Sequence, residues 1–97
     1  MKKEFNTEDV ISVTTGILMH EIDGVYDVIN HVMNVNAFTH QLPGLSIEAT
    51  NEIFKQHPEL LKVTADDVKF IDKEVGFEII RGLHQRFGEK LVLKGGE

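Results

Sequence analysis

A chain of 97 residues has room for one domain, residues 1–97, which can bury about 60 to 65% of its unfolded surface and fold without covalent cross-links. The chain has no cysteine, which excludes a disulfide framework, a thiolate zinc site and a cysteine nucleophile, and fits a reducing compartment. The formal charge is −6, the N-terminus turns acidic after two lysines, and no long apolar run follows, so we expect a cytoplasmic protein without signal peptide or membrane segment.

Charge is distributed unevenly along the chain. Residues 4–54 contain eight acidic residues and no Lys or Arg, whereas residues 55–97 contain eight acidic and eight basic residues. This asymmetry favours a partner with a complementary field, either a basic protein surface or a site that normally holds nucleic acid. The alternative is that the acids only keep a small protein soluble and monomeric. Direct nucleic-acid binding is not expected, because no predicted helix carries a basic stripe.

Four segments have apolar side chains at helical spacing, with start or stop signals at their ends. They predict helices over residues 8–15, 24–33, 47–57 and 73–87. The expected N-caps are Thr7, Asp23, Ser46 and, for the last helix, Thr64 or Asp72. The expected stop signals are Gly16, Pro58 and Gly88. A single helical turn is expected over residues 58–61.

Lys90–Lys94 is a short apolar run with a lysine at each end and predicts a strand. An isolated strand needs a partner, and Lys2–Asn6 is the other good candidate in the chain. The predicted fold is therefore mainly α, within the α+β class: about four helices closed by a short antiparallel ribbon of the N-terminal and C-terminal strands.

The segment 36–44 lies between the second and third predicted helices, and both helices are expected to pack against it. Pro43 and Gly44 predict a type II turn, because proline fixes φ at its second position and glycine tolerates a positive φ at its third. Two interpretations of His40 follow. The segment is either a buried connector whose polar side chains bond to nearby backbone, or a surface loop that presents His40 to a ligand. The lack of a second catalytic group nearby favours the connector.

No known catalytic or ligand-binding spacing is complete in the chain. The five histidines are not paired at metal-binding spacing, so no metal, no cofactor and no enzymatic activity are expected. Two pairs of acids do share a helix face at i, i+4 spacing, a spacing at which like charges do not stabilise a helix. The candidate partner-binding residues are these four acids and the central histidine: Asp23, Asp27, Glu48, Glu52 and His40.

The sequence contains the blocks SVTTG at 12–16, VYDVIN at 25–30, FTHQLP at 38–43 and QHPEL at 56–60. Together these blocks resemble a family of small bacteriophage and prophage proteins of unknown function, over about residues 5–61. TTG and FTHQLP are the most specific parts of the resemblance. Ile17 and Gly44 stand where members of that family usually carry basic residues. The resemblance implies no catalytic residues.

The resemblance and the charge asymmetry together lead to one functional expectation. The protein is expected to be phage-encoded and non-enzymatic, and to bind a bacterial host protein that has a basic surface. Inhibition of a host defence system is the suggested role. Two alternatives stay open: a structural or regulatory phage accessory protein, and a small enzyme that uses His40. A homodimer also stays open.

Overall fold

The computed structural model describes residues 1–69 and 73–95. In chain order its elements are β1 (Lys2–Asn6), α1 (Thr7–Thr15), α2 (Ile22–Met33), a 3-10 turn (Thr39–Gln41), α3 (Leu42–Gln56), a second 3-10 turn (Pro58–Lys62), α4 (Ala65–Val68), α5 (Lys73–Phe87) and β2 (Lys90–Lys94). In this part of the chain five helices accompany one two-stranded sheet, so the predicted mainly α class is confirmed.

Helices α1, α2 and α3 pack against one another around a single core. Each carries apolar side chains at helical spacing, so one stripe of each helix is removed from water. The fully buried side chains of the described residues are Thr7, Val10, Ile11, Val28, Ile29, Ala49, Ile53, Leu60, Val68 and Leu93. The set includes a residue of the ribbon, so the ribbon and the helices share one core.

The terminal ribbon forms as predicted. β1 and β2 pair antiparallel, with Lys3 opposite Leu93 and Phe5 opposite Leu91. Phe5, Leu91 and Leu93 are buried, while Val92, between the two leucines, is exposed. This alternation is expected when one face of a ribbon covers a core and the other faces water.

The outer edge of β2 is covered by side chains from the end of α3. The Gln56 amide donates to the carbonyl of Lys94 at 3.1 Å and accepts from the N–H of Lys94 at 2.7 Å. His57 Nε2 lies 2.7 Å from the carbonyl oxygen of Val92. An unpaired strand edge is a template for association with another chain, so these side chains protect β2 from such pairing.

Thr7 is not the N-cap of α1, contrary to the prediction. The helix begins at Thr7 itself, and Asn6 occupies the cap position without a side-chain cap bond. The Thr7 hydroxyl donates to the carbonyl of Gly88 at 2.6 Å, and its N–H donates to the carbonyl of Glu89 at 3.0 Å. Thr7 therefore fastens the start of α1 to the turn that precedes β2.

The start of α2 also differs from the prediction. The helix begins at Ile22, two residues early, so Asp23 lies in the first turn and Glu21 holds the cap position. Negative charge is favourable in a first turn whether or not the side chain caps it, because of the helix dipole. The sequence therefore identified the helix but not its first residue.

Thr64 caps the short helix α4 instead of the last long helix. Its N–H donates to Asp67 Oδ2 at 2.9 Å. Asp72, the other predicted cap, lies outside the described residues. α5 spans Lys73–Phe87 as predicted, and Gly88 ends it with a φ of 88° and an N–H bonded to the carbonyl of His84 at 2.8 Å.

The predicted type II turn at Pro43 and Gly44 is wrong. α3 begins at Leu42, five residues before the predicted start, and runs through both residues and through Ser46, the expected cap. Proline is tolerated in a first helical turn, because its fixed φ suits the helix and its missing N–H would have no helical partner. Gly44 has no positive φ and is simply helical.

The segment before α3 is exposed and is not the buried connector that was predicted. Phe38 is 68% exposed, and His40 is also exposed. The two rings lie nearly parallel, 3° apart in plane with centroids 6.0 Å apart. The Phe38 N–H donates to Gln41 Oε1 at 2.9 Å, so a local side-chain bond holds the turn. The helices pack against one another and leave this turn at the surface.

Candidate partner-binding surface

An apolar groove runs between the end of α1, the start of α2 and the first half of α3. It consists of two adjoining hollows of about 380 and 310 Å³. The larger is lined by Ser12, Val13, Gly16, Leu18, Ile22, Val25, Thr39, Leu42, Pro43 and Ser46. The smaller is lined by Val13, Thr14, Thr15, Gly16, Ser46, Ile47, Thr50 and Asn51. The two share Val13, Gly16 and Ser46, so they form one continuous surface.

The groove exists because α1 ends at Gly16. This residue has a φ of 76°, a conformation that favours glycine, and its N–H donates to the carbonyl of Ser12 at 3.0 Å. The Ser12 hydroxyl donates to the carbonyl of Glu8 at 2.7 Å and accepts from the N–H of Met19 at 3.0 Å. These bonds fix the chain that leaves α1, and they place Leu18 at the rim of the groove.

The opposite wall is held by side-chain bonds between helices and the segment before α3. The hydroxyls of Tyr26 and Thr39 lie 2.8 Å apart. The hydroxyl of Thr50 donates to the carbonyl of Val13 at 3.1 Å, which joins α3 to α1. The two sequence blocks TTG and FTHQLP, separated by more than twenty residues, therefore line one surface.

The stretch of chain that lines the groove carries negative charge and no positive charge. All of the groove's lining residues fall within residues 12–51, a range with four acids and no Lys or Arg. Glu21 and Asp23 flank the lining residue Ile22 in the chain, and Glu48 follows the lining residue Ile47. All three acids are exposed. The groove thus combines apolar walls with exposed carboxylates that adjoin its lining residues in the chain.

The predicted partner-binding residues lie outside the lining of the groove. Asp23 and Asp27 are exposed on α2, and Asp27 lines a separate hollow near β1. Glu48 is exposed on α3, and Glu52 forms a surface ion pair with Lys55 at 3.0 Å. His40 is also exposed, and its ring stacks on Phe38. The sequence analysis did not identify the apolar groove, and the partner-binding role of these residues stays a prediction.

A buried acid was also missed. Asp9 is only 7% exposed, and its Oδ1 has no hydrogen-bond partner. Burial raises the pKa of Asp9 above the ordinary 3.8, and the charge of His20, whose Nδ1 lies 3.7 Å away, opposes this shift. The nearby charges of Glu8 and Asp27 raise the pKa further, and a bond from Asn6 lowers it. Asp9 looked from sequence like an ordinary first-turn acid.

The raised pKa predicts that Asp9→Asn becomes more favourable as pH rises. The folded state holds the Asp9 proton more tightly than the unfolded state, so ionisation above the ordinary value of 3.8 removes stability from the wild type. Asparagine cannot ionise. The free energy of unfolding of the variant minus that of the wild type should therefore increase from pH 3 upward and level off above the folded pKa. Urea denaturation across this range measures it, and a difference that falls with pH would contradict the burial argument.

Histidine side chains tie the helices to other elements. His31 Nε2 lies 2.8 Å from the carbonyl oxygen of Leu93, and His84 Nε2 lies 3.0 Å from Glu8 Oε1. Within residues 1–69 and 73–95, no group of three or more His, Asp or Glu side chains could hold a metal ion. No helix in this part of the chain is long and apolar enough to cross a membrane.

A family profile matches more than half of the chain. The profile of a family described as a domain of unknown function, DUF7736, matches residues 5–63. No curated protein and no solved structure matches the chain. The matched range contains β1 from Phe5, helices α1 to α3 and every residue that lines the groove.

Proposed function

Because the chain belongs to the DUF7736 family of domains of unknown function, we propose from its surface that it is a non-enzymatic protein that binds a partner protein with a basic surface. One observation carries the proposal: helices α1 to α3 surround an exposed apolar groove in a stretch of chain that has acids and no Lys or Arg. Complementary charge steers association and suppresses wrong partners, so this half of the molecule suits a cationic protein.

The resemblance to bacteriophage proteins supports a bacterial host protein as that partner, met in the cytoplasm of the host. Antagonism of a host defence system is then the proposed role, because a small phage protein without catalytic machinery acts by occupying a surface. The competing proposal, that the acids serve solubility alone, predicts no specific contact by this half of the molecule. The two proposals differ in how charge removal affects association.

Replacing Glu48 and Glu52 together by glutamine is expected to slow association with the partner about threefold to tenfold at low salt, with little change in the dissociation rate. Rim charges act mainly by steering. Folding should change by less than about 0.5 kcal/mol, because the pair repels weakly and the Glu52–Lys55 ion pair is at the surface. The partner is captured from a bacterial lysate, and its association with the immobilised protein is followed at several ionic strengths.

The chain offers a matched control. Glu74 and Glu78 are also exposed acids at i, i+4 spacing, but they lie on α5. Their double replacement by glutamine removes the same charge and should leave the association rate nearly unchanged. Equal slowing by both double variants would mean that only net charge matters. If neither double variant nor an increase in ionic strength changes the association rate, the proposed acidic contact surface is wrong.

A further inference from the structure

We infer that the groove binds one or two large apolar side chains of a Lys- or Arg-rich segment of the partner. This inference rests on the proposed function and adds the chemical class of what the groove receives. The acids mainly speed the association of the partner, whereas the groove holds its apolar side chains once it is bound.

The apolar part of the inference rests on exposure at the groove. Leu18 is 49% exposed, Ile22 45% and Ile47 67%, and they come from three different parts of the chain. Gly16 lies between them and is open, since a Cβ added there would meet nothing within 4 Å. Contiguous exposed apolar residues with a polar rim are typical of protein-interaction sites.

The part of the inference that concerns lysine and arginine rests on the charged residues next to these apolar residues in the chain. In the chain Ile22 has an acid on either side, and Ile47 is followed by Glu48. Two exposed apolar residues in the other half of the molecule have basic neighbours instead: Leu61 is followed by Lys62, and Val92 lies in a strand with lysine at both ends. Val75 and Phe77, on α5, are exposed and adjoin acids as the groove residues do. A segment that places lysine or arginine beside an apolar side chain therefore complements the groove and not Leu61 or Val92.

The size of the groove limits what it can hold. Hollows of about 380 and 310 Å³ lie near the lower end of the range of about 300 to 1,000 Å³ for ligand pockets. Each is large enough for side chains of one short segment. Anchoring by a few apolar side chains surrounded by polar contacts is the usual organisation of a binding interface.

A peptide titration tests the inference on the full chain. The probe is a short synthetic peptide with leucine at helical spacing among lysines, and amide shifts are followed by NMR. We expect shifts at Gly16, Ile22 and Ile47, and binding about tenfold weaker when serine replaces leucine or glutamate replaces lysine. If the peptide in which serine replaces leucine binds equally well and shifts only the amides of acidic residues, the groove inference fails. The proposed acidic contact surface is then still supported. If neither lysine peptide binds, the proposed function fails as well.

Two substitutions sharpen the test. Ile47→Ser should weaken the lysine–leucine peptide about tenfold, because it removes an apolar contact from the groove. Leu61→Ser is the matched control, since Leu61 is 60% exposed but lies outside the groove, and it should leave binding unchanged. Equal loss in both variants would overturn the inference. Concentration-dependent shifts at the groove without peptide would identify a second copy of the chain as its occupant and overturn it too.

Discussion

Replacing Gly24 by alanine is expected to lower the free energy of unfolding by about 2 kcal/mol, although alanine is the better helix former. A Cβ at Gly24 would lie 2.5 Å from both carboxylate oxygens of Asp9. Gly24 is in the first turn of α2 and Asp9 is buried in the first turn of α1, so relief requires the buried carboxylate to rotate within the core or these packed helices to separate. Urea denaturation measures the loss through a lower midpoint.

Two controls isolate the steric cause. Gly82→Ala changes another glycine inside a helix, but its Cβ would meet nothing within 4 Å, so it should stabilise the protein by about 0.5 to 1 kcal/mol. In an Asp9→Ala background the obstructing carboxylate is gone, and Gly24→Ala should then cost little. A double-mutant cycle measures this coupling. An equal cost of Gly24→Ala in both backgrounds would show that the carboxylate is not the obstacle.

The elements predicted correctly from sequence are those where several local signals agree. α5 combines apolar side chains at helical spacing with Gly88 at its end, and both ends were placed correctly. The ribbon was predicted because β2 is a short apolar run between two lysines and an isolated strand needs a partner. Agreement between periodicity, stop signals and pairing leaves few alternatives.

The start of α3 could not be fixed by local signals, because Pro43 and Gly44 suit two structures. Proline followed by glycine fits a type II turn, and proline also fits the first turn of a helix. In the structure this segment is helical, and Leu42 and Leu45 pack against the core. That packing depends on contacts of α3 with α1 and α2, which local sequence signals do not encode, so tertiary packing determines where α3 begins.

The acidic charge of the candidate surface could be predicted from the sequence, whereas its apolar groove could not, for a related reason. The acidic bias of residues 4–54 can be counted directly from the sequence. The groove cannot, because Gly16, Ile22 and Ile47 become neighbours only when three helices pack. The burial of Asp9 had one signal, a glycine early in a helix that otherwise has β-branched residues, but nothing local connects Gly24 to Asp9.

Replacing Leu93 by alanine is expected to cost about 2 to 5 kcal/mol, the range observed when a fully buried leucine is truncated and the cavity does not close. Leu93 is fully buried on the inner face of β2, and its carbonyl also accepts the bond from His31. Truncation keeps the backbone bond and removes only the side chain. The loss should appear as a lower urea midpoint with an unchanged slope.

Val92→Ala is the matched control and also tests the register of the ribbon. Val92 is 43% exposed and points away from the core, so its truncation should cost less than about 1 kcal/mol, mainly through strand preference. A slip of one residue would exchange the two faces of the strand, because side chains alternate with a period of two. A larger loss for Val92→Ala than for Leu93→Ala would therefore show that Phe5 does not pair with Leu91, and that the ribbon closes the helices in another register.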